Sequence, residues 1–327
     1  MRLFLSIILF LGFFLAPGLA LAAKDRVFSL EVENDVLTPT DRNFTNGVRV
    51  SIAFGPDAQK PWMTRLADGI PFLAKTFQRR VIGFALGQNM YTPDDTASFA
   101  LITTDRPYAG WLYGEFWVEV AHDDMIDYFT LQVGVIGPVS LADRAQRSYH
   151  RFIKAGRPNG WDNQLGNEPG IVIGYRRTWT GILSLGGGFE VGSSPHLGAV
   201  VGNIYTYAAA GWTLRIGQSL GEEAGPPPRI SPGLPGSRYF NTRKKVVWYF
   251  FAAVEGRGVA RDIFLDGNTF SSSHSVDKKN LVADFQFGVV LLIDGIRISY
   301  THVFRTREFD LQPARHEFSG VNIAFRF

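Results

Sequence analysis

Apolar and other residues alternate along much of this chain with the period of two that is typical of β-strands. In residues 44–55, for example, the even-numbered positions are mostly apolar and the odd-numbered ones mostly polar or small. Segments of this kind, separated by turn-like stretches, are residues 26–35, 44–55, 79–89, 107–121, 126–137, 170–179, 182–192, 200–217, 244–257, 279–293, 296–305 and 317–327. An even number of such segments predicts an all-β fold, a twelve-stranded antiparallel transmembrane β-barrel.

Barrel topology assigns the connections to two sides. Both chain ends are expected on the periplasmic side, where connections are short. The turn-like stretches 122–125, 178–181 and 294–295 fall on that side. Two periplasmic connections are longer, 56–78 and 218–243, and the second is so rich in Gly and Pro that we expect it to be irregular and mobile. Counted along the chain, the first, third, fifth, seventh, ninth and eleventh connections are expected to be extracellular. The seventh is 193–199.

One extracellular connection is predicted to contain a short helix. Residues 141–154 contain no Gly or Pro, and the chain then reaches Gly156 and Pro158. Gln146 and His150 are four residues apart and would share one face of this helix.

The chain begins with a pattern typical of a secretory signal peptide. A short positive start precedes an apolar run and the small-residue segment Ala20-Leu21-Ala22. Cleavage near Ala22 or Ala23 would remove residues 1–22 and leave 23–327 as a single barrel domain. A membrane anchor is the weaker alternative because the run is short and Pro17 interrupts it. The last segment alternates up to Phe327, which favours an outer-membrane barrel over a soluble secreted sandwich.

Composition agrees with a membrane barrel and excludes other classes. Aromatic residues make up 14% of the chain and there are 35 glycines. The net charge of +3 is small for 327 residues and gives no indication of nucleic-acid binding. Cysteine is absent, which rules out disulfides and thiolate metal sites.

Polar motifs from distant parts of the chain converge at the outer rim of the predicted barrel. They are Glu33-Asn34-Asp35, the segment 40–47, the segment 104–110 and the helix that carries His150. Asp and Asn oxygens suit a hard cation such as Ca²⁺, and His can act as a general base. A cation and a base together suffice for ester hydrolysis. Each motif alone also has a plain structural interpretation, such as an Asx-turn at Asn34-Asp35.

The six histidines differ in predicted position. His150 alone lies on the helix, with Gln146 beside it. His122 is expected at a periplasmic turn, and His302 is expected in a strand near its outer end. The other three are expected in outer loops, namely His196, His274 and His316.

These motifs, as an ordered set, resemble the LpxR-type lipid A deacylase family. The residues that carry the resemblance are Glu33-Asn34-Asp35, Thr40 to Gly47, Thr104 to Gly110, Gln146 to Arg151, Gly160 to Leu165 and Asn167-Glu168. The resemblance implies an outer-membrane hydrolase that removes the 3′-linked acyloxyacyl chain of lipid A in lipopolysaccharide. It also implies a mechanism similar to that of secreted phospholipase A2, in which Ca²⁺ helps to form the oxyanion site and a His activates water.

Matching by motif carries the family's roles onto five positions. Asn34 and Asp35 fall on the calcium and oxyanion positions, Thr45 on a rim hydroxyl, and His150 on the base, with Gln146 one turn before it. Some family members have an acid just after the His, whereas residues 151–158 contain none. A basic residue for the lipid phosphates is not fixed by spacing, and Arg106 is the candidate by position only.

Two other functions remain open at this stage. An outer-membrane phospholipase would also have twelve strands and use Ca²⁺, but it needs a Ser–His–Asn triad, and no serine is expected in a comparable strand position beside a histidine. A channel or structural barrel would use inward charges such as Glu31, Arg49 and Glu190 to line or fill its lumen. Oxygen ligands also admit Mg²⁺ or Mn²⁺, and a nearby His could admit Zn²⁺. We expect a monomer in the outer membrane with its site at the extracellular face.

Overall fold

The structure, a computed structural model, describes residues 25–34, 43–153, 156–234, 236–242 and 244–327. The predicted signal segment 1–22 and Asp35 lie outside these ranges. The strands are β1 Arg26–Asn34, β2 Asn43–Phe54, β3 Arg79–Thr92, β4 Ala109–His122, β5 Met125–Ile136, β6 Glu168–Trp179, β7 Gly181–Gly186, β8 Phe189–Gly202, β9 Tyr205–Gln218, β10 Val246–Asp262, β11 Leu281–Ile293, β12 Ile296–Arg305 and β13 His316–Arg326. The α-helices are α1 Pro61–Asp68, α2 Ala142–Ile153 and α3 Ile263–Asp266. Among the described residues, no helix combines the length and the apolar character that a membrane crossing requires.

The strands form one closed antiparallel sheet. Apart from β6 and β7, each strand pairs with its neighbours in sequence, and β1 also pairs with β13, which closes the ring. β6 and β7 both pair with β8, so they are two halves of one barrel strand interrupted at Thr180. The thirteen segments therefore fill twelve positions, and the predicted twelve-stranded barrel is confirmed.

The sequence-based boundaries were wrong in one region. The expected turn at 178–181 lies within the β6–β7 strand, because Thr178 pairs with His196 and Gly181 with Ser193 of β8. The turn comes later, at Gly187 and Gly188, where both φ angles are positive. The expected extracellular loop 193–199 is therefore part of β8.

The two ends of the barrel differ in their connections. We call the end that carries residues 93–108, 137–153 and 156–167 the loop end, and the end where Arg26 N–H donates to the Phe327 carbonyl (3.1 Å) the terminal end. The expected short turns 123–124 and 294–295 are found at the terminal end. α2 lies in the loop-end connection where a helix was predicted. Which end faces the cell exterior stays a prediction.

The long connection 219–245 enters the lumen from the terminal end, and we call its described residues the plug. Its tip is bound to several strands: Arg257 Nη1 (2.6 Å) and Arg305 Nη2 (3.0 Å) donate to the Pro232 carbonyl. Arg229 pairs with Asp284, and Arg238 pairs with Glu115. The segment is irregular, as its composition predicts, and polar groups of the barrel wall bind it. Its expected mobility stays a prediction.

Candidate active site

Four residues on neighbouring strands form a row along the barrel wall at the loop end. Strand register places Asn34 opposite Asn46, Asn46 opposite Met90, and Met90 opposite Gly110. Their sequence neighbours Glu33 and Asn89 hydrogen-bond to the plug inside the lumen. Because successive side chains of a strand point to opposite faces, the four residues, which we call the outer row, face away from the lumen.

A β-bulge adds a hydroxyl to the outer row. The register of β2 against β3 shifts between Phe44 and Asn46, so Thr45 is the extra residue. Phe44 points into the lumen, where its ring lies 5.6 Å from that of Phe318. The bulge leaves Thr45 on the outer face with Asn46, and its Oγ1 lies 2.7 Å from Thr92 Oγ1. Bulges commonly redirect a side chain beside an active site in this way.

Helix α2 packs on the outside of the wall, directly against the outer row. Its buried residues Ala142, Gln146 and His150 are four apart and form a stripe that faces the barrel. Ala142 packs with Met90. A Cβ at Gly110 would overlap Ser140 Oγ and Ala142 Cβ, so the glycine allows the helix to begin close to the strand.

The middle of the stripe is fixed by a tryptophan. Trp161 is buried, and its Nε1–H donates to Gln146 Oε1 over 2.6 Å. The ring of Trp161 packs against that of Tyr108, with centroids 5.0 Å apart. Gln146 Nε2 is buried and has no hydrogen-bond partner among the described residues. A buried amide donor of this kind is suited to bind a water molecule or a substrate oxygen.

His150 is 5% exposed, and its Nδ1 lies 2.5 Å from the carbonyl oxygen of Gly156. A carbonyl oxygen only accepts, so Nδ1 carries the proton, and Nε2 is then the acceptor nitrogen of the neutral ring. A backbone carbonyl thus orients the ring in the segment where the sequence contains no acid. No motif could have revealed this contact, because it depends on the backbone.

Of the two predicted cation ligands, the structure describes Asn34 and not Asp35. Asn34 is 8% exposed on the outer row, and the preceding Glu33 is turned inward, where its carboxylate accepts the backbone N–H groups of Ile230 (2.7 Å) and Ser231 (2.8 Å). In the described ranges, no group of three His, Asp or Glu side chains could hold a metal. The neutral oxygens of Asn34, Asn46 and Thr45, which sequence places next to the carboxylate of Asp35, are a donor set that suits Ca²⁺.

Arg106 lies apart from the outer row. Its guanidinium is buried, donates to Glu308 Oε2 over 2.9 Å, and lies over the ring of Tyr91, which stacks on Phe264 among the interior residues. Burial alone would raise the pKa of Glu308, but Arg106 and Arg305 outweigh it and lower this pKa to about 2. The structure therefore places Asn34 and Thr45 on the outer row and Gln146 and His150 on the stripe of α2, which begins against that row, and it does not place Arg106 with either set.

The remaining histidines correct two expectations from the sequence. His196 is in β8 rather than in a loop, and its Nε2 lies 3.4 Å from Glu255 Oε2. A serine does lie beside a histidine: His302 is opposite Ser319, and its Nδ1 lies 2.9 Å from Ser319 Oγ. The pairing was missed because the two residues are on different strands, and only the register brings them together.

Known proteins similar to this chain include one family that matches nearly all of it. The family model described as outer membrane protein LpxR matches residues 3–327. The solved structure of LpxR from Salmonella typhimurium has a TM-score of 0.74 and 21% identity, and the match covers 92% of this chain and 100% of that one. The beta domain of the Bordetella autotransporter Brka has a TM-score of 0.46 and 9% identity, with 93% and 100% covered. No protein with a curated function matches. The family match, which covers nearly the whole chain, shows that this chain belongs to the LpxR family of outer membrane proteins.

Proposed function

We propose that this protein is a Ca²⁺-dependent esterase of the outer membrane that removes the 3′-linked acyloxyacyl chain from lipid A. Family membership supports the substrate class, and the position of the site supports a lipid. The outer row and the α2 stripe lie on the outside of the wall, so a substrate would approach from the membrane rather than through the lumen. We further propose that the loop end is extracellular and that the protein acts as a monomer.

The observation that carries this proposal is the orientation of the His150 ring on the buried face of α2. With its Nδ1 proton held by the Gly156 carbonyl, Nε2 can take a proton from water. The water oxygen then attacks the ester carbonyl carbon, and the bond from that carbon to the sugar oxygen breaks. The imidazolium returns the proton to the leaving sugar oxygen, so the His ends neutral.

Other residues of the site would position the reacting groups. Gln146 Nε2 can donate to the attacking water or to the ester carbonyl oxygen, since no other described residue uses it. Thr45, held by Thr92, would orient water or substrate. Asn34 and Asp35 would hold Ca²⁺, which supplies positive charge to the ester carbonyl oxygen when bound.

Lipid A from cells that express the wild-type protein tests this function by mass spectrometry. We expect loss of the 3′ acyloxyacyl unit with the wild type and intact lipid A with His150→Ala. His122→Ala is the matched control, because His122 lies at the terminal end beside Asp127. Unchanged lipid A with the wild type, in a host whose 3′ chain is intact, would reject the proposal. Full activity of purified protein in EGTA would reject the role of Ca²⁺.

The Ser319–His302 pair favours a second candidate, a phospholipase-type serine hydrolase on the same wall. Ser319 is fully buried and meets the Nδ1 side of the ring, whereas a nucleophile needs access to the substrate. Loss of lipid hydrolysis in Ser319→Ala, with release of lysophospholipid by the wild type, would favour this candidate over a His-activated water.

A further inference from the structure

A second polar cluster lies on the outer wall, outside the site described above. His302 Nδ1 is 2.9 Å from Ser319 Oγ, and the Tyr300 hydroxyl is 3.0 Å from the same oxygen. All three side chains face outward, because the neighbouring Arg297, Arg305 and Asn322 make their contacts inside the barrel.

The cluster continues the outer row. Ser319 is the partner of Asn34 across β13 and β1, and His302 is the partner of Ser319 across β12 and β13. Adjacent strands lie about 4.8 Å apart, so the backbone at His302 is about 10 Å from that at Asn34, on the side away from α2. A phosphorylated sugar lipid held at Asn34 could reach that far along the wall.

The surroundings of the cluster match the height of lipid headgroups. The His302 ring packs between Phe287 (5.4 Å between centroids) and Phe304 (4.6 Å). Aromatic side chains of this kind form girdles where a barrel wall meets the membrane surface. An ionisable group on the membrane-facing side of a barrel wall is energetically costly, so its presence there indicates a function.

The outward side of the cluster can offer a hydrogen-bond donor. Ser319 and Tyr300 occupy Nδ1 of His302, and among the described residues no hydrogen bond reaches its Nε2. A hydroxyl proton donated to Nδ1 leaves the proton on Nε2, which then points outward as a donor. The guanidinium of Arg315 lies 4.9 Å from the centre of the Phe304 ring, which packs on His302, and its Nε donates to Glu317 Oε1 over 2.8 Å.

We propose that Tyr300, His302 and Ser319 form a binding subsite for a phosphate group of the lipid substrate. His302 Nε2 would donate to a phosphate oxygen, and Ser319 and Tyr300 would fix the ring. Arg315, whose Nε is paired with Glu317, would offer its remaining N–H groups. The subsite takes the part that the sequence assigned to Arg106, which is paired inside the barrel. The inference rests on the proposed function, because the lipid bound at the subsite is the same lipid that the esterase would hydrolyse.

Binding to purified protein in detergent micelles tests the subsite without hydrolysis. In a His150→Ala background, His302→Asn keeps an amide near the Nδ1 position but removes Nε2. We expect it to weaken binding of bisphosphorylated lipid A about tenfold, as for loss of one hydrogen bond to a charged group. Binding of dephosphorylated lipid A should not change. His122→Asn is the matched control, and His302→Phe keeps the aromatic girdle if the Asn variant folds poorly.

Three results would overturn the subsite. They are equal affinity of His302→Asn and its parent for the bisphosphorylated lipid, equal loss for both lipids, and displacement of the lipid by millimolar inorganic phosphate, which would identify a free-phosphate site. In the active protein, His302→Asn should raise KM about tenfold and keep kcat within about twofold. A wild type that binds as expected but cleaves no lipid A would reject the esterase and leave the subsite. Cleavage with kinetics that His302→Asn does not affect would reject the subsite and leave the esterase.

Discussion

At the residue scale, the candidate base is oriented by the backbone. The sequence placed Gln146 and His150 on one face of a helix, and both are buried against the wall. It could not supply the partner of His150, because the Gly156 carbonyl has no side-chain signature. It also misjudged Arg106, because a charged residue in a rim motif has the same pattern whether it points to the lipid or into the lumen.

Gly156→Glu is expected to fold and to change the pH dependence of hydrolysis. A Cβ at Gly156 meets no atom within 4 Å, so the side chain has room. A carboxylate near His150 favours the protonated ring, and a base must be neutral to act. The acid limb of the pH–rate profile should therefore move to higher pH. Gly156→Gln is the uncharged control, and an equal shift in both variants would contradict the electrostatic cause.

Arg106→Gln should reduce stability rather than substrate binding. Removing one partner of a buried ion pair costs about 3–5 kcal/mol, and Glu308 would be left with Arg305 alone at 3.4 Å. We expect a lower melting temperature in detergent and a KM within about twofold of the wild type. A large rise in KM with unchanged stability would instead support the phosphate role assigned from the sequence.

Acid should remove the contribution of Glu308 to stability. Its pKa in the folded protein is about 2, below the usual 4.5, so the folded state favours the ionised form. That contribution is complete above about pH 4.5 and is lost as pH falls from there towards 2. The difference in melting temperature between the wild type and Glu308→Gln should therefore be largest above pH 5 and shrink on acidification. A difference independent of pH would rule out the ionic contribution.

At the element scale, the site depends on how closely α2 approaches β4. The helix was predictable from a run without Gly or Pro, but its place on the outside of the wall was not. Gly110 allows the approach, and Trp161 fixes the helix from the other side. The misplaced boundaries of β6 to β8 have a similar origin, because the partners on β8 decide where the β6–β7 strand ends.

Gly110→Ala and Gly114→Ala form a matched pair on the same face of β4. The new methyl at 110 would overlap Ser140 and Ala142, whereas at 114 the nearest atom is the Val133 carbonyl oxygen at 3.9 Å. Gly110→Ala should push α2 away from the wall and lower kcat by more than about tenfold, since small displacements of a positioned base are costly. Both variants should fold, as judged by heat-modifiable migration in SDS gels. Equal activity in the two would show that the approach of α2 does not matter.

At the scale of the whole molecule, the plug fills the lumen, and the barrel wall separates it from the site. Glu33 accepts two plug N–H groups on the inside, and Asn34 faces the membrane on the outside of the same strand. The plug thus supports the inner side of the wall behind the outer row. Inward charges such as Glu31 and Arg49 pair with each other, and Arg49 also binds the Pro228 carbonyl. A filled lumen is a poor conduit, which argues against the channel alternative.

Deletion of residues 225–234 should open the lumen. The pairs that now fill it would be left facing water, and the wall would enclose a polar space. We expect discrete conductance steps in planar bilayers for the deletion variant and none for the wild type. His150→Ala should behave as the wild type does in this assay. Steps of equal size in the wild type and the deletion variant would show that the plug does not close the barrel.

The sequence by itself determined the barrel, the number of its strands and the helix that carries His150, because each depends on periodicity and turn residues within one segment. Only the tertiary structure decided which residues meet. The contacts of His150 with Gly156, of Ser319 with His302 and of Glu33 with the plug depend on strand register, on a bulge and on backbone groups. Such contacts join positions far apart in the chain, and no local pattern encodes them.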